Sequence, residues 1–256
     1  MKKAIFPKEQ LLFIILSGFF ISNALLAEFI GVKVFSLERT FGFDPVSFTF
    51  LGEKGLSFDL TAGVLLWPVV FIMTDVINEY YGRRGVRLLS ILAVCLILYA
   101  FIMVFLTMGL VPASFWEHDP DTGLNMNTAF TKIFGQGQKI IFGSLTAFLV
   151  GQLIDAYVFH QIRLKTGQRY KWLRATGSTL VSQFIDTFVV LLIAFYWGSH
   201  YPLTWVLAVG TVSYTYKFCM ALLMTPVLYL IHHFIRQFLG PEQTKHLLQR
   251  AMNQEN

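Results

Sequence analysis

The chain carries six long apolar stretches, and few architectures can accommodate them. A helix needs ~20 mostly apolar residues to cross ~30 Å of hydrocarbon. The stretches run over residues 11–30, 60–80, 86–110, 140–159, 177–197 and 203–234, more than half of the 256 residues. With only 14% charged residues against a soluble average of about 25%, no separate soluble core is left to fold. The expected fold class is an all-α membrane protein of six transmembrane helices, residues 1–256 forming one polytopic domain. The first stretch follows Lys2, Lys3 and Lys8, as a signal peptide would. It is long for a signal core, contains Asn23 and Glu28, and lacks a small-x-small cleavage site, so it reads as a retained span.

The charge pattern orients these spans. Fourteen of the twenty Lys and Arg fall in the N-terminal tail, the Arg83–Arg84–Arg87 turn, the segment from Arg163 to Arg174 and the C-terminal tail. The loops of the opposite side hold five, Lys33, Arg39, Lys54, Lys132 and Lys139, and Lys217 lies inside a span. Cytoplasmic loops carry such an excess, which predicts both termini in the cytoplasm. The bias also accounts for the net charge of +5 without nucleic acid as a partner. Cys95 and Cys219 fall in different spans and the six histidines show no ligand spacing, so neither a disulfide nor a metal or other cofactor is expected.

The first external loop, with VSFTFLGEKGLSF, alternates as a hairpin or interfacial flap would. The second, VPASFWEHDPDTGLNMNTAF, is rich in turn residues. Pro68 and Pro226 read as kinks within spans two and six. An internal echo links Val150–Asp155 to Val181–Ser-Gln183-Phe-Ile-Asp186, 31 residues later. A three-plus-three arrangement would relate span two to span five by inversion, a device transporters use.

Ionisable residues inside spans carry the functional information, because each costs at least ~2.5–3.5 kcal/mol at a helix centre. They are Glu28, Asp75, Glu79, Asp155, Asp186 and Lys217. Glu28 and Glu79 lie towards span ends, where Lys33 and the Arg83–Arg84 turn offer interfacial partners. Asp186 and Lys217 fall near span centres, too deep for an interfacial explanation, and a mutual salt bridge is the structural alternative to a functional role. Gln152 and Asp155 are three residues apart, as are Gln183 and Asp186, so each pair shares a helix face. Gly143, Ala147 and Gly151 in span four, with Ser178 and Ser182 in span five, allow close helix approach. These two spans should therefore pack with their Gln/Asp faces towards a shared cavity. A carboxylate accepts paired hydrogen bonds and a glutamine amide both donates and accepts. The set suits a planar heterocycle with neighbouring N–H groups and suits an ammonium equally, with Tyr214 and Tyr216 available to stack on a ring.

In order along the chain stand Ser22-Asn23, TDVINEYYG from Thr74, GQLIDAYVFHQIR from Gly151, STLVSQFIDT from Ser178 and SYTYKF from Ser213. This series resembles the queuosine precursor transporter family, also called the YhhQ or VUT family. The resemblance implies uptake of small solutes, the cyano- and aminomethyl-deazaguanine bases, across the bacterial inner membrane. By the same resemblance, the substrate-binding candidates are Asn23, Asp75, Glu79, Gln152, Asp155, Gln183, Asp186 and Lys217.

Two other classes compete. A substrate-binding subunit of an ECF-type vitamin importer would also have six spans and a small heterocyclic ligand. It would require a separate ATPase module, since no P-loop is present, and span one lacks an AxxxA docking motif. An intramembrane aspartyl protease would need a GxGD-type context that neither Asp155 nor Asp186 has, so no enzymatic activity is expected.

Overall fold

One glycine determines how the longest helix is built. The computed structural model describes residues 6–166, 170–198 and 200–253. Lys2, Lys3 and Arg169, which contribute to the charge bias, lie outside the described residues. Helix α1 (Lys8–Ile30) leads into β1 (Val34–Ser36), the short α2 (Leu37–Thr40), β2 (Phe48–Phe50), β3 (Glu53–Leu56) and β4 (Asp59–Thr61). After a 3-10 turn, Ala62–Leu65, comes α3 (Trp67–Met108). At Gly82 its backbone turns to φ 69°, ψ −177°, a region essentially reserved for glycine.

That turn makes α3 a hairpin of two antiparallel arms, 67–81 and 83–108. A β-carbon on Gly85 would lie 3.6 Å from Ile77 Cγ2, whereas eight residues of straight helix span about 12 Å. Contacts with α1 mark the same reversal. Tyr81 packs on Phe13 near the start of α1 with ring centroids 4.8 Å apart, while Phe101 stacks at 5.3 Å on Phe29 near its end. At that same end Gly63 lies against α1, where a β-carbon would come within 2.6 Å of the Ala27 carbonyl oxygen. The chain therefore descends along α1, reverses at Gly82 and climbs back.

The remaining elements are α4 (Ser114–Glu117), α5 (Met126–Thr166), α6 (Lys171–Leu191) with a π-helical extension Leu192–Trp197, α7 (Leu203–Leu239) and α8 (Pro241–Asn253). Helix α7 starts beside the flap, where Thr204 donates to Glu53 at 2.8 Å. It ends beside the start of α1, where Lys8 Nζ donates to the Phe238 carbonyl at 2.9 Å. The molecule thus has a flap end and a terminal end, and Arg84, Arg250 and Glu9 line one groove at the latter.

Among the described residues five helices are long and apolar enough to cross a membrane: Lys8–Ile30, Trp67–Met108, Gly143–Thr166, Trp172–Trp197 and Leu203–Leu239. Their outward faces are apolar: Ile15 and Phe19 on α1, Leu88, Ile102 and Phe105 on α3, Leu223 and Phe234 on α7 are all exposed. Their inward faces hold Asp75, Asn78, Glu79, Gln152 and Asp155, all buried. This is the reverse of a water-soluble bundle and fits a protein solvated by lipid.

Several expected boundaries move. Residues 60–66 belong to β4 and the 3-10 turn, so the second span's helix begins at Trp67, and Pro68 is an N-terminal helix residue and does not kink it. Pairing of β4 with β1, Leu60 opposite Phe35, claims the apolar start of that stretch. The flap does form, as two antiparallel pairs, β1 with β4 and β2 with β3. Leu51 and Gly52, both at positive φ, make the two-residue turn of the second pair. In the second loop the Thr122 hydroxyl and the Asp121 amide donate to Asp119 and hold its carboxyl below the usual carboxylate range.

If Gly82 sets the hairpin, Gly82→Ala should cost roughly 1–3 kcal/mol and lower the Tm of the purified protein in detergent. Gly18→Ala, whose added β-carbon meets nothing within 4 Å, should leave Tm unchanged or slightly higher. Equal Tm values for the two variants would contradict the assignment.

Candidate functional site

Helix packing assembles the polar residues. The α5–α6 pair is the most extensive helix contact of the fold, and small residues line it. Ala147, Ser178 and Ser182 are fully buried, and a β-carbon on Gly151 would sit 3.4 Å from the β-carbon of Asp186. The first arm of α3 closes the third side. Where the three helices meet, Thr74 Oγ1 donates to Gln152 Oε1 at 2.8 Å, Thr179 Oγ1 to Asp75 Oδ2 at 3.3 Å and Ser182 Oγ to Asp155 Oδ1 at 3.2 Å. Gln183 and Asp75 share a crevice of about 20 Å³, room for one water.

This cluster is not self-satisfied. Among the described residues Asp75 Oδ1, both amide atoms of Asn78, Gln152 Nε2, Asp155 Oδ2 and Gln183 Oε1 are buried without a hydrogen-bond partner. Each such atom typically costs about 1–3 kcal/mol. Two donor groups and four acceptors therefore converge on one place with hydrogen bonds left to make.

Asp186 and Lys217 stand apart from it, one helix turn nearer the flap. Lys217 Nζ donates to Asp186 Oδ2 at 2.9 Å and to Thr187 Oγ1 at 2.8 Å, so the salt bridge that is the structural alternative to a functional role is present. Together they form part of the floor of a cavity of about 620 Å³ that runs up to the flap. Glu28 lines its wall. Its Oε1 accepts from Ser144 Oγ of α5 at 2.7 Å, so Glu28 faces the protein interior and not the interfacial Lys33. Trp67, Phe101, Phe195 and Trp205 supply the cavity's aromatic surface. Tyr214 does not line it; its ring packs edge-on against Phe184 and its hydroxyl donates to the Leu180 carbonyl.

Two further candidates are occupied elsewhere. Asn23 Nδ2 donates to the Phe19 carbonyl of its own helix at 2.8 Å. Glu79 is fully buried on the terminal side of Asp75, held by Arg174 Nη2 at 2.6 Å to both carboxylate oxygens. It is thus a buried ion-pair partner of Arg174 on α6.

The profile of the family described as "Putative vitamin uptake transporter" matches residues 61–231, two thirds of the chain and the whole of the polar cluster. A protein of Bacillus subtilis (strain 168) named "Probable queuosine precursor transporter" is 34% identical over 175 residues, 67% of this chain and 72% of its own length. The chain belongs to the queuosine precursor transporter (VUT) family. Two more distant relatives carry related names. The "Probable queuosine precursor transporter" of Haemophilus influenzae is 30% identical over 141 residues, 55% of this chain and 54% of its own length. The "Queuosine precursor transporter" of Escherichia coli K12 is 28% identical over 141 residues, 55% and 58%. No solved structure matches the chain.

For a VUT-family member the residues missed by sequence reasoning are instructive. Arg174 was counted with a loop, yet it lies in the first turn of α6, and Arg174, Ser178 and Ser182 at four-residue spacing continue the face of Asp186. Extending that face backwards by one turn would have found it. Asn78 escaped because it is not ionisable, although it lies on the face between Asp75 and Glu79.

Arg174→Ala in this VUT-family chain would strand the Glu79 carboxylate in a dry interior and should destabilise it by about 3–5 kcal/mol. The double variant R174A/E79Q should recover part of that loss. Thermal unfolding in detergent measures both, and a double variant no more stable than R174A would show that the ion pair is not the cause.

Proposed function

We propose that this chain imports queuosine precursors, the cyano- and aminomethyl-deazaguanine bases, across the bacterial inner membrane. In this reading both arms of α3 cross the bilayer, giving six spans with both termini and the arginine-rich turn in the cytoplasm. The cavity then opens outwards, and the buried cluster between α3, α5 and α6 is the binding site proper.

The observation that carries the proposal is the set of unpartnered atoms in that cluster. A guanine-type edge offers a ring N–H and an exocyclic amine beside a carbonyl. Asp75 Oδ1, Asp155 Oδ2 and Gln183 Oε1 match the N–H groups, and Gln152 Nε2 and Asn78 Nδ2 match the carbonyl. A site built to hydrogen-bond its substrate rejects analogues lacking those groups, because its own atoms then stay unpaired. The relatives' names supply the substrate class. The crevice beside Asp75 is too small for a bicyclic base, so binding requires the three helices to part, as in a carrier that alternates its access. An inward-negative potential would favour entry of the cationic aminomethyl base by ~2.3 kcal/mol per 100 mV.

Purified protein in vesicles free of any ATPase should take up the cyano base, and Asp155→Asn should reduce that uptake at least tenfold while its Tm and elution profile stay those of the wild type. Uptake seen only with an added ATPase module, or undiminished in D155N, would overturn the proposal.

A further inference from the structure

We propose that Glu28 is a specificity-determining residue of the outer cavity, and that it makes the cavity select the cationic aminomethyl base over the neutral cyano base. The inference rests on the import reading above and goes beyond it, since the family profile covers residues 61–231 and does not reach Glu28. The two bases share one ring and differ in one substituent, an ammonium in one and a nitrile in the other. The buried cluster is complementary to the ring edge that both present, so it cannot distinguish them. Discrimination has to come from a group that reads the substituent.

Glu28 has the right chemistry and the right place. It lies near the flap end of α1, on the wall of a cavity large enough for a bicyclic base. Ser144 donates to one of its oxygens across the α1–α5 interface and thereby fixes the carboxylate. Among the described residues no cation pairs with it. One of the two ammonium groups of the cavity, Lys217, is bound by Asp186 and Thr187. A carboxylate removed from bulk water, hydrogen-bonded but without a counter-charge, is completed best by a ligand that brings the positive charge. The surroundings act in the same direction. Glu28, Glu53, Asp59 and Asp186 line the cavity against Lys54 and Lys217, so its charged groups sum to a net negative field that concentrates cations. Trp67 and Trp205 add aromatic surface to the cavity wall, and an aromatic ring attracts a cation placed near it.

Calorimetric titration of the purified full-length protein with each base, for wild type and Glu28→Gln, tests the assignment. Glutamine keeps an oxygen for Ser144 and removes only the charge. The wild type should bind the aminomethyl base at least tenfold more tightly than the cyano base. E28Q should weaken the aminomethyl base about tenfold or more and leave the cyano base within twofold. E28D, tested beside it, retains the charge and should retain the preference, so the prediction can still be decided if E28Q folds poorly. Equal loss of both bases in E28Q, or no loss of either, would remove Glu28 as the selector and leave the import reading standing. Loss of cyano-base uptake in E28Q with its binding intact would likewise overturn the inference, in favour of a proton-carrying role. A wild type that binds neither base would overturn the import reading and this inference together.

Discussion

Inside a hydrocarbon layer a polar side chain has to be satisfied by protein, by enclosed water or by cargo, and the interior of this fold is organised around that constraint. The first arm of α3 presents Thr74, Asp75, Asn78 and Glu79 to α5 and α6 within little more than one turn. Two of the four are answered completely: Thr74 by Gln152 and Glu79 by Arg174. Asp75 is answered at one oxygen and Asn78 at neither amide atom. Buried ion pairs are neutral to unfavourable as a source of stability but strict about geometry. The Glu79–Arg174 pair therefore fixes the register of α3 against α6, and that register brings the unsatisfied atoms together one turn away.

The two ends of the molecule differ in how tightly they are shut. At the terminal end, Glu79 and Arg174 are joined by His232 with the Tyr80 hydroxyl at 3.2 Å, and by Arg163, which donates to the Leu248 carbonyl at 3.4 Å. Helix α8 contributes Leu247 to the same core. At the flap end the helices diverge around the 620 Å³ cavity, covered by two short β-pairs. On the import reading this is an outward-facing form, and its counterpart must break Glu79–Arg174 or carry both residues together. A rigid-body movement of α6 with Arg174 against α3 would expose two charges to hydrocarbon unless water entered at the same moment. The ion pair thereby ties opening on that side to hydration of the pathway.

What the sequence disclosed depended on period and on charge. Residues three apart on one helix face, Gln152 with Asp155 and Gln183 with Asp186, correctly indicated an α5–α6 interface, and the small residues correctly indicated its closeness. Apolar length alone could not tell a strand from a helix, which is why Leu60 was read as the start of a span while its partner Phe35 lies 25 residues away. The α3 hairpin was legible as two apolar stretches flanking three arginines, but the left-handed turn at Gly82 was not. The surroundings of Glu28 were illegible for a different reason. Its neighbours in sequence suggested an interface with water, and only the packing of α5 and the flap, from more than a hundred and about thirty residues away, encloses it.

Helix α6 connects the outer cavity to the inner cluster. Gln183 lines the crevice with Asp75, and Asp186, about 4.5 Å further along the same face, lines the cavity. On the import reading, a base moving from one to the other passes the Asp186–Lys217 pair, which stands on the boundary between them. Its hydrogen bonds are with side chains alone, two to Lys217 from α6, so the pair can exchange partners without unwinding a helix. The π-helical extension that begins at Leu192 lies less than two turns beyond Asp186, and π segments locally rotate the faces of a helix. A change of register there would turn Asp186 and Thr187 relative to Lys217. On the import reading, the pair is so placed that such a rotation would act on a base lying between cavity and cluster.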